Sequence, residues 1–170
     1  MAALPSTLDI DRTTDAHAML LVFTVGDLRC ALHLRQVQSV VRAVEVTPVP
    51  LAPSIVIGVI DIRGQVAPVF DIRGRFGLRP REIGLDDQFI IAHASDRTIA
   101  IVVDSVQGII RRSVETSATL QCITAKNGPI EGIAQLDEGI TVISDLGRFL
   151  SMEEEWTLQQ ALAARGSHAN

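Results

Sequence analysis

The run from Gly58 to Ile72 returns in degenerate form 74 residues later, and this internal repeat constrains the fold more than anything else in the chain. Without a gap, Gly58 falls on Gly132, Val59 on Ile133, Ile62 on Leu136, Val66 on Ile140, Val69 on Ile143, Asp71 on Asp145 and Ile72 on Leu146. Both copies read as strand, tight turn, strand. The period exceeds that of a solenoid unit and occurs only twice, which predicts two similar small β modules packed together rather than an open array. The copies differ at the turn, where Arg63-Gly64 in the first is matched by Asp137-Glu138 in the second. A difference confined to an otherwise repeated hairpin marks that turn as a place to look for function.

The rest of the chain follows the same plan. Ala18 to Val25 reads as a strand, Gly26-Asp27 as a hairpin turn, and Leu28 to Leu34 as the partner strand. Within it Cys30, Leu32 and Leu34 alternate with Arg29, His33 and Arg35, the pattern of one buried and one wet face. Val37 to Val46 is β-branched and extended, and the prolines at 48, 50 and 53 then make the following stretch a fixed crossover. Ile55 to Ile62 and Gln65 to Ile72 form the repeated hairpin. Beyond a Gly- and Arg-rich connection from Arg73 to Leu85, the segments Gln88 to Ala94 and Thr98 to Val103 repeat the plan of residues 18 to 34. Val106-Gln107 echoes Val37-Gln38, and Ile109-Ile110-Arg111 echoes Val40-Val41-Arg42, now in a register of 69. The two copies cover roughly residues 18–76 and 88–150.

The last element differs in kind. Ser151 and Glu154 have capping-box spacing, Glu153 to Glu155 place negative charge at a helix N-terminus, and Met152/Trp156 and Leu158/Leu162 stand four apart. An amphipathic helix is predicted over residues 151–164, with its apolar side capping a barrel mouth, and frayed ends at 1–17 and 165–170. Apolar residues make up 47% of the chain and aromatics 4%, so the core must be built from Val, Ile and Leu, a bias toward strands.

The net charge of −5 argues against general nucleic-acid binding, which needs a basic face, and the few aromatics leave little to stack on bases. Met1 to Asp15 has neither a basic start nor an apolar core, so no signal peptide is read there, and no apolar run is long enough to insert in a bilayer. A cytoplasmic location is expected. Cys30 and Cys122 lack metal-ligand spacing and are expected to be reduced core residues; no cofactor or metal is expected.

Catalytic constellations are missing: there is no nucleophile elbow, phosphate-binding loop, dinucleotide fingerprint or zinc-binding helix motif. The four histidines are scattered. Asp71 and Asp145 are an equivalent pair that could be an acid/base dyad, but repetition favours a shared structural role such as accepting turn amides. Arg73, Arg75, Arg79 and Arg81 fall within nine residues and could grip an acidic partner, although Glu82, Asp86 and Asp87 just beyond them favour a solvated, balanced loop. Arg63 remains, a planar fork of donors in a turn between apolar strands and a residue type enriched among interface anchors.

Taken together these residues closely resemble the CheW family of adaptors from bacterial chemosensory arrays. The resemblance is carried by Leu21 to Gly26, Val37-Gln38-Ser39-Val40, the Pro-containing crossover, Gly58 to Gly64, Pro68 to Ile72 and Ile101 to Val106, and continues through Gly132-Ile133-Ala134 and Ile143 to Leu146. It implies an all-β fold of two five-stranded SH3-like barrels related by pseudo-twofold symmetry, with a groove between them and a C-terminal helix. It also implies a non-enzymatic scaffold that joins the regulatory domain of the histidine kinase CheA to the cytoplasmic tips of methyl-accepting chemoreceptors, and that alternates with kinase domains in rings. Val37, Gly58, Arg63 and Gly64 stand at positions the family uses around its receptor groove. The chain departs from the family at Ser39, where many members carry an acidic residue; with the following Val40 and Arg42 this marks a stretch that would set partner choice. The alternative is a coupling protein of a pilus-motility or other chemosensory system, or an array component that does not activate kinase.

Overall fold

The computed structural model describes residues 17–94, 96–113, 130–136, 139–144, 146–148 and 152–167. Ten strands are described: β1 (His17–Val25), β2 (Leu28–His33), β3 (Val37–Arg42), β4 (Val56–Ile62), β5 (Gln65–Phe70), β6 (Gln88–Ala94), β7 (Arg97–Val103), β8 (Ser105–Ser113), β9 (Ile130–Leu136) and β10 (Gly139–Ser144), followed by one helix, α1 (Met152–Ser167). They form two five-stranded sheets with orders β8-β1-β2-β10-β9 and β3-β6-β7-β5-β4, here sheets A and B. Replacing each strand of the first repeat by its counterpart in the second converts one order into the other. The sequence repeat and the sheets nonetheless do not coincide. The β1–β2 hairpin joins the second repeat's β8, β9 and β10, while β6–β7 joins the first repeat's β3, β4 and β5. Each repeat has given its first hairpin to the other's sheet.

The repeat extends to backbone irregularities. A β-bulge skips Gln38 in the β3–β6 ladder and Gln107 in the β8–β1 ladder, 69 residues apart. A second skips Ile57 in β4–β5 and Glu131 in β9–β10, 74 residues apart. Bulges bend a strand and increase its twist, so matched bulges give the two sheets the same curl. In sheet B the connection enforces that curl. The chain leaves edge strand β3 at Arg42, and Thr47 exchanges hydrogen bonds with Val59 of the opposite edge strand β4, at 2.9 and 2.8 Å. Five extended residues reach about 17 Å. In a flat sheet the outer side of β4 would lie about 24 Å from β3 at ~4.8 Å per strand. The edges must therefore roll toward each other, which is the SH3-like shape; among the described residues no ladder closes either sheet fully into a barrel.

The central hairpins are buried on both faces, which corrects the expectation of one wet face. Phe23, Val25, Cys30 and Leu32 of sheet A pack with Ile90, Ile99, Ile101 and Val103 of sheet B in one shared core. The alternate residues face inward within their own sheets: Phe89, Ile91, Ala100 and Val102 in B, and Leu20, Val22 and Ala31 in A. Arg29 and His33 are only half-buried, and Cys30 is fully covered. Burial pushes the Cys30 thiol up to about 12, so it stays protonated and behaves as a small apolar residue; Cys122 lies outside the described residues.

Helix α1 follows sheet A's last strand but fastens to both sheets. Leu158 enters the shared core, with Leu162 packed against it. In the first turns Glu154 pairs with Arg75 at 2.5 Å and Glu155 pairs with Arg97 at the start of β7. Ser151, the expected cap, lies outside the described residues. The helix continues past 164 to Ser167, with Arg165 near its C-terminus where the macrodipole favours a cation. The anchoring face also differs from the expected one. Trp156 is 64% exposed, whereas Leu158 and Ala161 are buried, because the docked stripe begins two residues later. Leu158→Ala should therefore cost about 2–5 kcal/mol in a denaturant melt, as deletion of a buried leucine does, and Trp156→Ala about 0.5 kcal/mol or less. Fluorescence of the single tryptophan should be quenched freely by acrylamide in the folded protein.

Candidate functional site

All seven residues singled out by the sequence lie on sheet B or the turn at its end. Ser39 pairs with Ile91, Ile91 with Ala100, Ala100 with Val69, and Val69 with Gly58. Ser39 and Gly58 thus occupy one row of the sheet at its two opposite edges. Ser39 is exposed; Val37 and Val40 are half-buried and pack against the shared core; Arg42 is exposed at the far end of β3. Gly58 is buried. A β-carbon there would lie 2.3 Å from the carbonyl oxygen of Thr47 and 2.6 Å from Val46, and its φ of +154° is one that side chains avoid. Its glycine is required so that the crossover can lie against β4, and its influence on a partner acts through that placement.

Arg63 and Gly64 form the two-residue tip of the β4–β5 hairpin, five residues from Gly58, about 17 Å along the strand. Their φ values of 51° and 84° are the positive pair of a type I′ turn, and Asp61 Oδ1 accepts the Gly64 N–H at 2.7 Å. Glycine satisfies the second position without strain. Arginine does not suit the first, where asparagine or glycine would be preferred. The residue is exposed. Arg63→Asn should raise stability by about 0.5–1 kcal/mol in thermal or denaturant unfolding, because the turn conformation becomes easier to adopt.

At the end of sheet B where β3 reaches Arg42, opposite the Arg63 tip, lies a polar clasp that the sequence did not reveal. Asp104 stands between β7 and β8, where the chain passes from sheet B to sheet A. Its Oδ1 accepts from Arg73 Nη2 at 2.5 Å and Arg81 Nη2 at 2.6 Å, and its Oδ2 accepts the Gly26 N–H of sheet A's first hairpin at 2.8 Å. Arg73 is buried and also bonds Asp71 Oδ1 at 3.3 Å. Arg81 grips Asp87 through two bonds of 2.8 and 2.7 Å, and Asp87 accepts the Gly84 N–H at 2.7 Å. The Arg-rich connection is thus only in part the solvated, balanced loop expected of it: exposed Arg81 is balanced by Asp87, but Arg73 is buried and held by Asp71 and Asp104, since a buried guanidinium needs partners, and Arg75 reaches Glu154 of α1. Asp71 caps the 3-10 turn at Ile72–Phe76 by accepting the Arg73 N–H at 3.1 Å, the structural role its repetition suggested; Asp145 lies outside the described residues. The arginine run with Asp87 just beyond it hinted at part of the clasp, but nothing in the sequence tied Asp104 to it.

The fork from Arg81 holds the Asp87 carboxyl below the usual carboxylate range, burial opposing it and the Gly84 N–H assisting. A carboxyl whose pKa is depressed by folding stabilises the folded state above the unfolded value, near pH 4, and loses that contribution as pH falls through the folded value. Wild-type stability should thus decline on acidification below about pH 4, and Asp87→Asn should be less stable at pH 7 with a flatter acid profile, measured by urea unfolding from pH 7 to pH 2.

The fold and site define a two-sheet β interaction module, its polar chemistry spent on holding sheets together and one arginine displayed at a hairpin tip. The chain belongs to the CheW-like domain family, which matches residues 19–154. It is 25% identical over 146 residues to a chemotaxis protein CheW of Treponema pallidum, covering 82% of this chain and 86% of that protein. To the CheW of Rhizobium meliloti it is 32% identical over 97 residues, 57% of this chain and 63% of that protein. Protein FrzA of Myxococcus xanthus is 34% identical over 89 residues, 52% and 58% of the two chains. The crystal structure of the scaffolding protein TtCheW from Thermoanaerobacter tengcongensis superposes with a TM-score of 0.72 at 26% identity, covering 81% of this chain and 94% of that one. Among the described residues no helix is long and apolar enough to cross a membrane.

Proposed function

We propose that this protein is a coupling adaptor of a chemosensory array, binding the cytoplasmic tips of methyl-accepting chemoreceptors and the regulatory domain of a CheA-type histidine kinase, and taking its place with other CheW-like modules in rings. It works without catalysis, in the cytoplasm, at arrays of membrane-bound or soluble receptors. Membership of the CheW-like family supports the role, and the observation that carries the site is Arg63: an exposed arginine kept in a turn position that favours asparagine or glycine. A residue that costs local stability and whose side chain makes no hydrogen bond or ion pair among the described residues fits a contact made to another chain, where a guanidinium provides a directed fork for carboxylates or carbonyls. Val37, Ser39 and Val40, on the edge strand of the same sheet, complete the surface, and Ser39 tunes it. Lacking the carboxylate that many relatives place there, it removes a charge-assisted contact and favours a receptor class of its own, as in an alternative chemosensory system.

Titration calorimetry against a receptor-tip fragment and, separately, the kinase regulatory domain tests this reading. Arg63→Glu should fold normally and bind the receptor fragment about tenfold more weakly, a loss of ~1.4 kcal/mol, while kinase affinity is unchanged. Equal receptor affinity for the two proteins would remove Arg63 from the site.

A further inference from the structure

Sheet B's private core is left open at one end. Ala43, Val46, Ile57 and Ile83 pack against that core but are only partly covered. They line a trough of about 1030 Å³ between the crossover that leaves β3 and the connection that precedes β6. That space holds several side chains, so the trough is more than a packing defect. On its rim stand Val44, 55% exposed, and Leu85, 94% exposed, both also lining it. Neighbouring exposed aliphatics beside an open core are the pattern of a docking surface rather than of scattered surface residues.

The charges around the trough state what it would take. Its one guanidinium, Arg81, is already neutralised by Asp87 and Asp104. Glu45 on the crossover wall and Glu82 on the connection wall are exposed, and neither carboxylate takes part in an ion pair among the described residues. An apolar floor between two such carboxylates complements aliphatic side chains flanked by cations.

We propose that this trough is a second docking site, distinct from the Arg63 tip, for a segment of a protein partner that presents branched aliphatic side chains flanked by lysine or arginine. It does not depend on the receptor reading, because the trough lies at the β3 exit and Arg63 at the opposite end of β4. The aliphatic side chains enter over Ala43, Val46, Ile57 and Ile83, and the flanking cations reach Glu45 and Glu82.

The test uses the full chain, isotope-labelled, titrated in an amide NMR experiment with two synthetic peptides: one with a leucine-valine-isoleucine centre flanked by lysines, and one with the same centre flanked by glutamates. The lysine peptide should shift amides of residues 43–46, 57 and 81–85, and added salt should weaken it. The glutamate peptide should bind at least about fivefold more weakly. Glu45→Lys/Glu82→Lys, on the exposed rim, should fold normally and lose about fivefold toward the lysine peptide, whereas Arg63→Glu should bind it as the wild type does. Shifts outside the trough, equal binding of the two peptides, or undiminished binding by the double variant would overturn the proposal. Sedimentation of the wild type alone is the remaining arm: a dimer that the double variant abolishes would show that a second copy fills the trough, and would overturn it as well.

Discussion

The shared core between the two sheets is the interaction on which the rest of the structure depends. Phe23, Cys30 and Leu32 from one central hairpin meet Ile90, Ile99 and Ile101 from the other, and α1 adds Leu158 to the same cluster. These hairpins are buried on both faces because each also closes the inner core of its own sheet. Separating the sheets would expose the largest apolar cluster among the described residues, and burial at about 25 cal/mol per Å² makes that a costly opening. The exchange of first hairpins between repeats strengthens the constraint, since neither repeat can complete a sheet without the other.

On this nearly symmetric frame the polar contacts are not symmetric. The 69-residue register places Asp104 opposite Arg35, and the 74-residue register places Arg73 opposite Gly147, so neither residue of this pair is repeated in the other copy. Arg81 and Asp87 belong to the connection between repeats, which occurs once. The clasp joins sheet B's Arg73 and sheet A's Gly26 through one carboxylate, fixing direction where the apolar core fixes only proximity. A hydrophobic interface tolerates sliding; charge-assisted bonds of defined geometry do not.

The surface follows the same division. The turn with Arg63 departs from the repeat, and the trough beside Glu45 and Glu82 is bounded by the connection that occurs once. Both proposed interaction sites therefore lie where the duplicated architecture was altered, in segments that the two packed sheets hold in place.

The sequence by itself determined the strands, their turns, the two registers of the repeat and the family, because alternation of aliphatic residues and turn chemistry are local properties with a period of two. It also located Arg63-Gly64 and the structural task of Asp71, whose acceptor reaches an amide only two residues away. Only the tertiary structure decided which hairpin joined which sheet, that β1, β2, β6 and β7 would be covered on both faces, and that Trp156 would face solvent while Leu158 entered the core. Those outcomes depend on pairings of residues distant in sequence, from Val69 with Ala100 in sheet B to Ala31 with Ile143 in sheet A, which no local pattern encodes. The clasp was hidden for the same reason: Gly26, Arg73 and Asp104 are ordinary residues in separate turns until two curled sheets are pressed together and their loops are left to satisfy one another's charges.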